Sequence, residues 1–133
     1  MSAEPSPSVQ LSEIGQIAVT VSDLARSQQF YEKTLGIKLL FGAGTMAFFE
    51  CGPVRLMLGP PEPGKTVHPS PTILYFKVAD IHAAHAALFA EGVAFTHAPH
   101  LVACMKDHEL WMAFLRDPDG HPLALMSEVP LQE

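Results

Sequence analysis

The sequence predicts an α+β fold of two tandem βαβββ modules, and two observations carry that prediction. Residues 14–36 and 72–92 follow one plan: a strand of alternating apolar residues, an Asp at a helix entry, a helical stretch, and a Gly where the helix stops. After each copy the chain offers three more strand-like stretches separated by turn residues. A repeated unit of this kind points to one domain built by duplication, with a ligand site between its halves.

Taken in order, residues 16–21 form the first strand, with Ile17, Val19 and Val21 on one face and Gln16, Ala18 and Thr20 on the other. Ser22 or Asp23 caps the first helix, because a side-chain oxygen there satisfies a free N–H of the first turn. Leu24, Ser27, Tyr31 and Leu35 share one helical stripe, and Gly36 ends it. Residues 37–41, 46–51 and 54–58 are strands, the last two joined at Gly52-Pro53 as a tight hairpin. Residues 59–71 hold five Pro and two Gly, too Pro-rich for a helix or central strand, and so cross between the modules.

In the second module residues 73–78 form a strand. Asp80 then opens a helix with Ile81, Ala84, His85 and Leu88 inward, and Gly92 ends it. Residues 94–97 and 101–105 extend onward as separate pieces. Residues 109–115 and 122–127 make a final hairpin around Asp117-Pro118-Asp119-Gly120, where Pro and Gly suit the turn. On this reading Asp117 and Asp119 serve the turn, and His121 is exposed. The domain plan is a flexible tail over 1–11 and a single domain over 12–128. That domain divides into module one (12–58), the crossover (59–71) and module two (72–128).

At 133 residues the chain suits one domain with a proper core, and 48% hydrophobic residues fit a globular chain rather than a disordered one. A net charge of −6 disfavours nucleic acid and anionic membranes, which both need a basic surface, and tolerates neutral or cationic ligands. No apolar run approaches a membrane span, and the N-terminus lacks a basic region followed by an apolar core. A cytoplasmic location is the expectation. Cys51 and Cys104 are too few for a disulfide scaffold and lack metal-ligand spacing, so they read as reduced thiols.

Three stretches carry a family resemblance: Ile14-Gly15-Gln16-Ile17-Ala18-Val19-Thr20-Val21-Ser22-Asp23-Leu24, Phe30-Tyr31-Glu32-Lys33-Thr34-Leu35-Gly36, and Asp117-Pro118-Asp119-Gly120-His121-Pro122-Leu123-Ala124-Leu125. The chain resembles the vicinal oxygen chelate superfamily over residues 12–128. That group includes glyoxalase I, extradiol dioxygenases, fosfomycin-resistance transferases, methylmalonyl-CoA epimerase and bleomycin-resistance proteins. The resemblance implies sheets that curl into a cup with the helices outside, and a homodimer. It also implies four metal-ligand positions, which fall here on Gln16, Met57, Ile73 and Ala124. Three of these are apolar and Gln16 is a weak neutral donor, whereas a divalent ion needs three or four N, O or S donors at close range. No cofactor is therefore predicted, and a divalent metal enters only through a relocated site.

Period-two alternation from those positions yields the rest of the cup lining. Its apolar members are Phe48, Met57, Ile73, Leu110, Met112, Phe114, Ala124 and Met126. Its polar members are Gln16, Thr20, Glu50, Arg55, Tyr75, Lys77 and His108. Apolar walls with sparse polar anchors describe a small-molecule pocket. Each anchor also has a structural reading. Glu50 and Arg55 form a cross-strand ion pair, Tyr75 bonds a backbone group in the core, and Lys77 reaches out to solvent. For Arg55 the functional reading is a bidentate hold on a carboxylate or phosphate. The seven His residues also raise a relocated metal site at His100, His108 and Glu109, while His82 and His85 lie on the outer helix.

The leading expectation is therefore a family member that binds a small organic molecule in an apolar, metal-free cup. The alternative is a glyoxalase-, isomerase- or dioxygenase-type enzyme, working through a relocated metal or through His108 and Tyr75 as acid–base catalysts.

Overall fold

The computed structural model describes residues 8–131. The tail expected over 1–11 lies largely outside them, in 1–7, and residues 8–15 form no regular element. Module one runs β1 (Gln16–Thr20), α1 (Leu24–Gln29), a π-type turn (Phe30–Thr34), β2 (Lys38–Ala43), β3 (Met46–Cys51) and β4 (Val54–Gly59). Module two runs β5 (Leu74–Lys77), α2 (Ile81–Ala90), β6 (Phe95–Cys104), β7 (His108–Arg116) and β8 (Pro122–Pro130). Each module makes a mixed four-stranded sheet of the same topology, β1-β4-β3-β2 and β5-β8-β7-β6. In both, the opening strand lies parallel to the last strand of its module and the others pair antiparallel. The two modules together form a curled sheet, as the resemblance implies.

Local chemistry accounts for the elements. Asp23 and Asp80 are the helix caps, each accepting from the N–H three residues on. The first helix widens at its end: Leu35 N–H reaches back to Phe30 O at 2.9 Å, a π-type closure. Gly36 then takes φ +75°, the left-handed value that favours glycine at a helix stop. Gly52 takes φ +60° in the Gly52-Pro53 hairpin, which sets Glu50 opposite Arg55 and Phe48 opposite Met57 as expected.

The core lies between the helices and one face of each sheet. Ala47, Phe49, Leu56 and Leu58 from sheet one, and Ala113, Leu115, Leu123 and Leu125 from sheet two, are buried there with Tyr31 and Ile81. Strand alternation leaves the opposite face of each sheet without a helix.

Three features differ from the sequence reading or add to it. The pieces at 94–97 and 101–105 are one strand, β6, whose pairing with β7 is irregular near Thr96, Ala98, Pro99 and Val102. Pro99 is tolerated because β6 is an edge strand. β2 carries a bulge at Leu40, so that Phe41 pairs with Phe48 instead of Ala47. The third concerns Asp117, Asp119 and His121, which do more than shape a turn.

These three residues fasten the modules together. Asp117 Oδ1 accepts from the N–H of Asp119 at 2.9 Å and of His121 at 2.8 Å. Its Oδ2 accepts from the Tyr31 hydroxyl of module one at 2.7 Å. Asp119 takes hydrogen bonds from Ser22 and Ser27 and faces Arg26 at 3.5 Å. His121 is only 5% exposed, against the expectation of an exposed ring. Its Nδ1 accepts from Ser70 N–H at 2.9 Å, so its Nε2 carries the proton and donates to Thr20 O at 2.7 Å. The residues were expected to be solvated because a turn usually is, but this turn docks into the other module.

Burial, with the Asp117 charge beside it, pushes the Tyr31 phenol well above its usual range. Its folded-state pKa exceeds the unfolded value of about 10, so its contribution is whole below pH of about 10 and is lost as pH rises further. Tyr31→Phe is expected to cost about 1–3 kcal/mol, because it leaves Asp117 Oδ2 buried and unpaired. Urea unfolding at neutral pH reads the loss. The same titration above pH of about 10 should show a shallower alkaline decline in the variant.

Candidate functional site

The helix-free faces can be followed strand by strand across each register. On sheet two one row is Tyr75, Ala124, Phe114 and His97, and the next is Lys77, Met126, Met112 and His100. On sheet one a polar row of Gln16, Arg55, Glu50 and Lys38 lies beside an apolar row of Ala18, Met57, Phe48 and Phe41. All ten ligand-binding residues expected from the sequence except Ile73 fall in these rows; Ile73 immediately precedes β5.

The rows have distinct chemistry. On sheet two the rings cluster: Tyr75 meets Phe114 edge-on with centroids 6.2 Å apart, and His97 and His100 stand 5.6 and 6.1 Å from Phe114. Ala124 is fully buried beneath this cluster. Tyr75 itself is 45% exposed, and among the described residues its hydroxyl has no hydrogen-bond partner, so the core-backbone bond considered for it is absent. Lys77 reaches outward and pairs with Glu128 at 3.6 Å.

On sheet one Phe41 stacks on Phe48 at 4.6 Å, and the Arg55 guanidinium lies 5.5 Å from the Phe48 ring centre. The cross-strand ion pair considered for Glu50 and Arg55 does not form. Glu50 pairs with Lys38 at 3.9 Å, and Arg55 Nε donates to Gln16 Oε1 at 2.9 Å. A three-atom amide reaches Arg55 along the parallel β1–β4 pair, whereas Glu50 has a cation available on its other side.

These contacts bear on a metal ion. Of the four family positions, Ile73 and Ala124 offer no donor atom, Met57 offers a thioether, and Gln16 offers an amide oxygen already engaged by a guanidinium. A divalent cation does not fit that donor set, since Arg55 places positive charge on its one oxygen. The relocated site does not assemble either. His100 lies opposite Met112, four positions along β7 from His108, and the Glu109 carboxylate accepts from Trp111 Nε1. Among the described residues no three His, Cys, Asp or Glu side chains converge.

The two expected catalytic residues are also apart. Tyr75 is level with Phe114, six positions from His108 along β7, a span of roughly 20 Å. His108 Nδ1 lies 2.6 Å from the exposed carboxylate of Asp107, and that hydrogen bond, more than the charge of the ring, holds the Asp107 carboxyl below its usual range.

Hollows occur at the seam between β1 and β5. One of about 320 Å³ is lined by Ala18, Thr20, Tyr31, Ser70, Leu74 and His121. Another of about 430 Å³ is lined by Ile17, Cys51, Val54, Ile73, Leu74 and Tyr75. Cys51 and Cys104 are free thiols, and burial pushes the Cys51 thiol up. The residues missed at the sequence level are Phe41 and His97, while His100 was weighed there only as a metal ligand. Phe41 reaches this face only through the Leu40 bulge, for which the sequence carries no distinct signal.

A family model for the Glyoxalase/Bleomycin resistance protein/Dioxygenase superfamily matches residues 13–125, and the chain belongs to that superfamily. Solved structures share the fold. A lactoylglutathione lyase from Agrobacterium tumefaciens is 20% identical with a TM-score of 0.70, over 88% of this chain and 94% of that one. A glyoxalase-related enzyme from Fulvimarina pelagi is 20% identical with a TM-score of 0.73, over 88% of each chain. A virulence protein from Salmonella typhimurium is 21% identical with a TM-score of 0.72, over 91% of this chain and all of the other. Among the described residues no helix is long and apolar enough to cross a membrane.

Ala124→Glu would return a carboxylate to the fourth family position. It is expected to destabilise the fold by about 1–3 kcal/mol, because the site is fully buried between Tyr75 and Phe114. Urea unfolding of the variant measures this.

Proposed function

We propose that this superfamily member binds a small organic molecule on the open face of its two sheets, through aromatic and apolar contacts and without a metal ion. The observation that carries the reading is the donor set. The one oxygen at the four family positions is held by Arg55, and the surrounding rows are built from Phe41, Phe48, Met57, Tyr75, Met112 and Phe114. Such walls bury apolar ligand surface, and a few polar groups orient it. A homodimer belongs to the same proposal. β2 and β6 are the outer edges of the two sheets, and Leu40, Phe41, Leu101 and Val102 are exposed there.

The second reading is an enzyme in which His108, oriented by Asp107, acts as a lone acid–base group. Their close contact favours it. The distance to Tyr75 separates the two readings, because one small ligand does not span both ends of β7.

The test is a fragment screen followed by proton–nitrogen correlation spectra of the full chain. Hits are expected to move signals in the rows around Phe114 and Phe48. Phe114→Ala and Tyr75→Ala should weaken a hit about tenfold or more, while His108→Ala changes it less than about twofold. Shifts confined to the helical face, or turnover abolished by His108→Ala, would defeat the binding reading.

A further inference from the structure

We infer that Arg55 is an anion anchor and that the ligand is a flat apolar molecule bearing one carboxylate. This rests on the small-molecule reading above and adds the ligand's charge.

The argument begins with charge on sheet one. Lys38 and Glu50 neutralise each other at 3.9 Å, which leaves Arg55 with no carboxylate partner among the described residues. Gln16 is neutral, so its bond to Nε fixes the side chain without cancelling its charge. The two terminal nitrogens of the guanidinium have no hydrogen-bond partner among the described residues. Arg55 is thus exposed, oriented by Gln16 at one edge and by the Phe48 ring at 5.5 Å, with donors left over. A planar fork held in one orientation loses less freedom when it binds a planar acceptor.

The geometry also chooses among anions. Lys38 is already committed to Glu50, so a single uncompensated cation stands in this row, and it matches a monoanion better than a doubly charged phosphate. Beside it Phe48 and Phe41, stacked at 4.6 Å, form an apolar shelf with Met57. A carboxylate on the guanidinium therefore places an attached ring system over that shelf. Arg55 occupies the functional place of a metal ion: it presents positive charge to a ligand oxygen, but through directional N–H donors.

The experiment uses two probes of one shape, naphthoate and its neutral amide, naphthamide, titrated into the full chain. Proton–nitrogen spectra include the Arg55 Nε–H. Naphthoate is expected to bind about tenfold or more tighter than naphthamide and to move the Arg55 Nε–H signal. Arg55→Gln should remove the difference between the probes. Equal affinities in the parent chain, with both probes on the Phe48 and Phe114 rows, would overturn the anion anchor and leave the binding reading standing. A naphthoate preference that persists in Arg55→Gln would do the same. An Arg55 signal that responds only to protein concentration would mean that a second copy covers this face, and the proposal fails. If neither probe reaches the rows, both readings fall together.

Discussion

The carboxylate of Asp117 is the joint on which the two modules turn. It is buried, and each of its oxygens is spoken for: one by two backbone N–H groups of its own turn, the other by the Tyr31 hydroxyl from the first module. His121 adds a second link by bridging Ser70 and Thr20. A buried polar network is stabilising only when every member is satisfied, and no buried side-chain nitrogen or oxygen among the described residues lacks a partner. Apolar packing between a helix and a sheet tolerates sliding, whereas directional hydrogen bonds to one carboxylate do not. The clasp therefore sets how the two sheets sit relative to each other, and with that the curvature of their shared open face.

The same arrangement explains why the open face lies where it does. Each helix packs on one face of its own module's sheet and the clasp lies in the turn between β7 and β8, so the other face is free to diverge in chemistry without cost to the core. At the four family ligand positions this chain carries an amide, a thioether and two hydrocarbon side chains. The guanidinium beside the amide then turns the spot from one that attracts cations into one that repels them. The rest of the face is aromatic and thioether-rich, which suits an organic ligand more than an ion.

Much of this was legible in the sequence, because the governing signals are local. Alternation at residues 16–21 and 73–78 assigned the strand faces, and Asp23, Asp80, Gly36 and Gly92 marked the helix ends. The Gly52-Pro53 hairpin fixed the pairing of Phe48 with Met57. What escaped was non-local. Nothing in the Asp117–His121 stretch signals that a turn will be buried against another module. The choice of Gln16 over Glu50 as partner of Arg55 depends on Lys38, seventeen residues away in sequence, drawing Glu50 off. Phe41 joined the open face through a single extra residue at Leu40, since a slip of one reverses every side chain beyond it. The separation of Tyr75 from His108 needed the register of three strands.

A family scaffold is here proposed to recognise its ligand with side chains in place of a metal ion. The decisive measurement is metal content. The full chain, purified without an affinity tag or chelator, should carry only trace iron, manganese, nickel, copper or zinc. Its melting temperature should not rise when any of these is added. Near-stoichiometric metal that survives desalting, and is lost when Gln16 is replaced by Leu, would contradict the account and restore metal chemistry to this site.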